Sequence, residues 1–69
     1  MTRAQAKDFR DRIAALGGTY LGSIFKIHSP RTPGYPYGVD VIHTPSQRIV
    51  SFAATPEEAD YVLRSLGPR

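Results

Sequence analysis

Tyr37-Gly38-Val39-Asp40-Val41-Ile42-His43-Thr44, then Pro45-Ser46, then Gln47-Arg48-Ile49-Val50-Ser51-Phe52-Ala53-Ala54 is the stretch on which the fold turns. Two runs rich in β-branched and aromatic residues flank a short polar segment, which is the pattern of a β-hairpin. Pro45 presets the backbone angle at the first position of a turn over Thr44-Pro45-Ser46-Gln47. If Thr44 faces Gln47, then Val41 faces Val50 and Val39 faces Phe52 on one side. Ile42 then faces Ile49, and Asp40 faces Ser51, on the other. Large apolar residues pair on both sides, and a slip of one residue would break that agreement, so this register is expected.

The flanking segments supply two helices and a further strand. Thr55 as N-cap, Pro56 at the first helical position and Glu58 at the third make a strong helix start. Glu57 and Glu58 suit the positive end of the helix dipole. Ala59, Val62, Leu63 and Leu66 form one apolar stripe, and Gly67-Pro68 ends it. Ahead of the hairpin, Ser29 to Pro36 carries Pro30, Pro33, Gly34 and Pro36 and reads as a loop. Thr19 to His28 reads as a strand whose odd positions, Leu21, Phe25 and Ile27, are expected to face the core. The chain opens with a helix over Arg3 to Leu16. Thr2 and Gln5 form a capping box, Phe9, Ile13 and Leu16 a stripe led by Ala6, and Gly17-Gly18 a stop.

The expected fold is therefore α+β, in the order α-β-β-β-α: a three-stranded antiparallel meander with both helices packed on one face. Its core would hold Phe9, Ile13, Leu16, Leu21, Phe25, Ile27, Val39, Val41, Val50, Phe52, Ala59, Val62, Leu63 and Leu66. At 69 residues the chain has room for a single small globular domain, residues 1–69. It holds no cysteine, which removes thiol catalysis, disulfides and cysteine-ligated metals. No apolar run approaches the ~20 residues of a membrane span. The charged stretch from Met1 to Leu16 lacks the apolar segment of a secretory signal, so a cytoplasmic protein is expected.

Three surfaces are left over for a function. The uncovered sheet face is expected to expose Ile24, Ile42 and Ile49, with Tyr20, Lys26, Asp40, Thr44, Gln47 and Ser51 around them. An apolar cluster there points to a protein partner or a second copy of the chain. The loop Ser29 to Tyr37 offers Arg31, Tyr35 and Tyr37, residue types that anchor interfaces or stack on bases. Arg3, Lys7 and Arg10 recur at helical spacing as a basic stripe, although Asp11 and Asp8 stand within pairing reach. Nine Lys and Arg against six Asp and Glu give a net charge of +3, scattered rather than clustered. Ser51, Asp40 and His28 contain the ingredients of acyl transfer, but on a flat face with no oxyanion hole. His28 and His43 fall on opposite faces by parity, so no metal site is expected, and no cofactor.

The element order is similar to that of double-stranded-RNA-binding folds and of the HicA-type RNA-cleaving toxins. Gly22-Ser23 and the following His28-Ser29-Pro30 resemble the toxins' glycine-serine-histidine segment. Ile24 stands where those toxins carry their catalytic histidine, so cleavage is not implied. In double-stranded-RNA-binding domains the second helix opens with lysines; here it opens with Thr55-Pro56-Glu57-Glu58. Phe52, Thr55, Glu58 and Ala59 also resemble the Phe-x-x-Thr-x-x-Glu-Ala stretch of the arm-binding domains of phage integrases, whose sheet face is basic and aromatic where this one is aliphatic.

The expectation is a small non-enzymatic regulator or inhibitor acting through protein contacts at Ile24, Ile42, Ile49, Tyr20, Arg31, Tyr35 and Tyr37. Its sharpest version is a phage- or mobile-element-type inhibitor of a host nucleoprotein machine. The alternative is an RNA- or DNA-binding module using Arg3, Lys7, Arg10, Lys26, Arg31 and Arg48.

Overall fold

The computed structural model describes residues 1–27 and 36–67. The chain runs α1 (Arg3–Ala14), β1 (Tyr20–Lys26), β2 (Tyr37–His43), β3 (Arg48–Ala53) and α2 (Pro56–Leu66). The strands form one open antiparallel sheet in the order β1-β2-β3. The fold is thus α+β with the expected α-β-β-β-α order.

Both helix starts are built as their sequences dictate. The Thr2 hydroxyl accepts from Gln5 N, and the Gln5 side chain accepts from Thr2 N at 3.0 Å. The Thr55 hydroxyl accepts from Glu58 N at 3.1 Å, and the Glu58 carboxylate accepts from Ala54 N at 3.0 Å. These bonds satisfy amides that a helix start otherwise leaves unpaired. α1 stops at Ala14, short of the expected Leu16. Gly17 and Gly18, at φ 110° and 85°, then turn the chain into β1, a conformation that only glycine adopts freely.

Ala6, Phe9 and Ile13 of α1, Val39 and Val41 of β2, Ala53 of β3, and Ala59 and Val62 of α2 form one buried cluster. Both helices therefore lie on the same face of the sheet. Each large side chain removed from water there contributes about 1.5–3 kcal/mol. Met1 joins the cluster with 1% of its surface exposed. Its carbonyl accepts from Tyr37 N at 3.0 Å, and its ammonium donates to Tyr37 O at 2.8 Å and Ala54 O at 2.6 Å. Residue 1 thus ties the start of β2 to the β3–α2 junction. Burial pushes the ammonium below its ordinary value of 8.0, and the Glu58 carboxylate opposes that shift.

Two expectations about sheet faces are corrected. In β1 the even residues, not the odd ones, look toward the helices. Tyr20 and Ile24 pack against the core, and Gly22 lies beneath α1. A Cβ on Gly22 would sit 3.0 Å from the Arg10 Cα. The helix rests on β1 where the strand carries no side chain, and this contact fixes the strand's parity. Leu21, Phe25 and Ile27 consequently leave the expected core for the opposite face.

In β3 the register holds near the turn, where Ile42 faces Ile49, and then shifts. Val41 faces Ser51, Asp40 faces Phe52 and Val39 faces Ala53. The irregularity falls between Val41 and Ile42 and leaves Val50 as the extra residue, a β-bulge. Val50 and Phe52, expected in the core, are exposed, and Ala53 takes the buried place.

Candidate functional site

Residues directly opposite one another on antiparallel strands share a face. The register therefore lays out the outer face, away from the helices, in rows. One row is Leu21–Ile42–Ile49, the next is Ser23–Asp40–Phe52, and the third is Phe25–Gly38. The Phe25 and Phe52 rings stack at 5.6 Å between centroids and 29° between planes. Gly38 provides their floor: a Cβ there would lie 2.9 Å from Phe25 Cζ, 3.1 Å from Phe52 Cε2 and 3.2 Å from Ile27 Cδ1. A larger residue at position 38 would push the stack off the sheet.

No described helix or strand covers this face. Leu21 is 50% exposed, Ile49 62%, Val50 51% and Phe52 43%. Scattered exposed apolar residues are ordinary, but here Leu21, Ile42 and Ile49 are contiguous by register, with Phe52 in the next row. Asp40, half-buried, is the one charged side chain within the three rows. Among the described residues it has no hydrogen-bond or ion-pair partner. Ser23 and Phe52 flank it across the strands, and Ile42 and Gly38 are its same-face neighbours along β2.

The residues singled out from sequence divide accordingly. Ile42 and Ile49 stand on the outer face as expected. Tyr20, Ile24 and Tyr37 do not; all three pack against the core from the helix side. Tyr20 and Ile24 follow the inward parity of β1, and Tyr37 shares the inward parity of Val39 and Val41 in β2. Arg31, Tyr35 and His28 lie outside the described residues. Leu21, Phe25, Ile27 and Phe52 are surface residues that the sequence reading assigned to the core. The one local signal for them was Gly22, a gap in the even-numbered face of β1.

The cations are dispersed. Arg12 Nε pairs with Asp8 at 3.0 Å, and Arg10 pairs with Asp11 at 3.2 Å. Lys26 shares the side of Tyr37, and Arg48 the side of His43, so neither stands on the outer face. Arg3 and Lys7 are exposed on α1, across the sheet from the apolar rows. The six residues proposed for nucleic acid therefore form no common stripe among those described.

Asp40 and Ser51 project to opposite faces, since Asp40 faces Phe52 while Ser51 faces Val41, so the serine–carboxylate pairing considered from sequence is not assembled. No group of three or more potential metal ligands occurs among the described residues. A cleft of about 130 Å³ between α1 and α2 is lined by Met1, Phe9, the Asp8–Arg12 pair and Leu63. It falls below the ~300 Å³ at which ligand pockets begin. A larger groove beside β3 is bounded by Ser51, Phe52, Glu57, Glu58 and Tyr61, where the Glu58 carboxylate accepts from Ala54 N at 3.0 Å. No described helix is long and apolar enough to cross a membrane. Compared with protein-family models, curated proteins and solved structures, the chain finds no match.

Proposed function

We propose that this chain is a non-enzymatic binding protein, a small regulator or inhibitor that engages another protein through the outer face of its sheet. The observation that carries this reading is the contiguous Leu21–Ile42–Ile49 row with the Phe25/Phe52 stack beside it, which no described helix or strand covers. Water bordering such a patch is released when a complementary surface covers it, at about 25 cal/mol for each Å² buried. The nucleic-acid reading has weaker support. A phosphate-tracking surface needs convergent cations, and α2 opens with Glu57 and Glu58.

Affinity capture with the whole chain from an extract of its source organism, run with and without nuclease, tests this function. The expected result is a protein that stays bound after nuclease treatment, is lost with Ile49→Asp and is retained with Lys7→Glu. Release by nuclease, or capture indifferent to Ile49→Asp in a folded variant, overturns it.

A further inference from the structure

We propose that the outer face takes a partner surface that sets one arginine or lysine against Asp40, and that the same carboxylate bars a second copy of this chain. The proposal rests on the docking role of that face and adds the chemistry of its occupant. Asp40 sits in the middle row, between the apolar Leu21–Ile42–Ile49 row and Phe25 on Gly38. It is half-buried, and no described residue neutralises it. Covering the face removes water from this carboxylate. That desolvation is costly unless the covering surface brings an opposite charge or hydrogen-bond donors.

A symmetric dimer fails this condition. Two copies packing sheet on sheet stand about 10 Å apart and share one two-fold axis. An axis through the middle of the rows brings the two Asp40 carboxylates together in a drying interface. An axis displaced enough to separate them sets each carboxylate against rows of the other copy that hold no cation among the described residues. A different protein whose apolar surface carries a central guanidinium or ammonium meets both demands at once. Arginine fits best, because its flat fork can pair with the carboxylate while lying against the Phe52 ring.

The test uses the isotopically labelled whole chain and two small probes, n-butylguanidinium and its neutral near-isostere n-butylurea. The guanidinium compound should shift the backbone amide signals of Ser23, Asp40 and Phe52 at about fivefold lower concentration than the urea, the preference expected of one half-exposed ion pair. In Asp40→Asn, which keeps the shape and one acceptor oxygen but removes the charge, that preference should vanish. Sedimentation should show a monomeric parent chain and a self-associating Asp40→Val. Equal responses to the two probes, or a preference that survives in Asp40→Asn, overturn the cation assignment while leaving apolar docking intact. Absence of any response at these amides overturns both readings. A dimeric parent chain, or a monomeric Asp40→Val, overturns the exclusion of a second copy.

Discussion

Gly22 and Gln47 show how single positions hold this fold. Gly22 faces backbone: the Cβ of an alanine would meet Arg10 Cα at 3.0 Å, and a helix axis cannot swing aside as a side chain can. Gly22→Ala should therefore cost about 1–3 kcal/mol, the range for overpacking a tight contact, read as a lower denaturant midpoint. Gln47 is the one described non-glycine residue with positive φ, at 57°. Its amide closes the hairpin turn on His43 O at 2.8 Å. The left-handed conformation costs a residue with a side chain about 1 kcal/mol or more, and glycine escapes it while losing more entropy on folding. Gln47→Gly should accordingly raise stability by about 0.5 kcal/mol; a lower melting temperature would contradict this account.

At the scale of elements, the bulge decides which residues of β3 look outward. Removing Val50 would join Ile42–Ile49 directly to Val41–Ser51 and Asp40–Phe52 without changing any of those pairings. The deletion variant should therefore fold with Phe52 still exposed and stacked on Phe25, and cross-strand proton contacts between Asp40 and Phe52 should persist. A buried Phe52 would show that the register is held by something other than the bulge. This element also marks how far the sequence could be read. Helix starts were legible because Thr2-x-x-Gln5 and Thr55-Pro56-x-Glu58 act on amides within one turn, and the structure shows both. Ile42 and Ile49 were legible because they adjoin the turn. The far half of the hairpin was not, since Val50/Phe52 and Ser51/Ala53 are both workable inward sets until the helices dock. In β1, both parities are apolar, Leu21/Phe25/Ile27 against Tyr20/Ile24. Alternation alone carries no sign there, and contact with α1 at Gly22 supplies it. The burial of Met1 had no sequence signal at all, because it depends on β2 and the β3–α2 junction meeting in space.

For the whole molecule, that buried first residue couples stability to pH. The ammonium of Met1 holds its proton less tightly in the folded chain than at its ordinary 8.0, through burial and against the pull of Glu58. In the interval just below 8.0 the unfolded chain thus binds more protons, and stability rises with pH until the group is neutral in both states. A chain carrying one glycine ahead of Met1 lacks this group at that place. The difference in pH slope between the two forms, measured by denaturant unfolding from pH 6 to pH 9, should isolate the effect; equal slopes would refute it. Among the described residues the sheet ends at β1 on one side and at β3 on the other. Straight, greasy sheet borders recruit further chains into fibres. The bulge at Val50 interrupts the regular spacing of β3, and an irregular border is a poor template for an incoming strand. One surplus residue, on which none of the neighbouring pairings depends, would thereby work against the growth of an oily-faced molecule into threads.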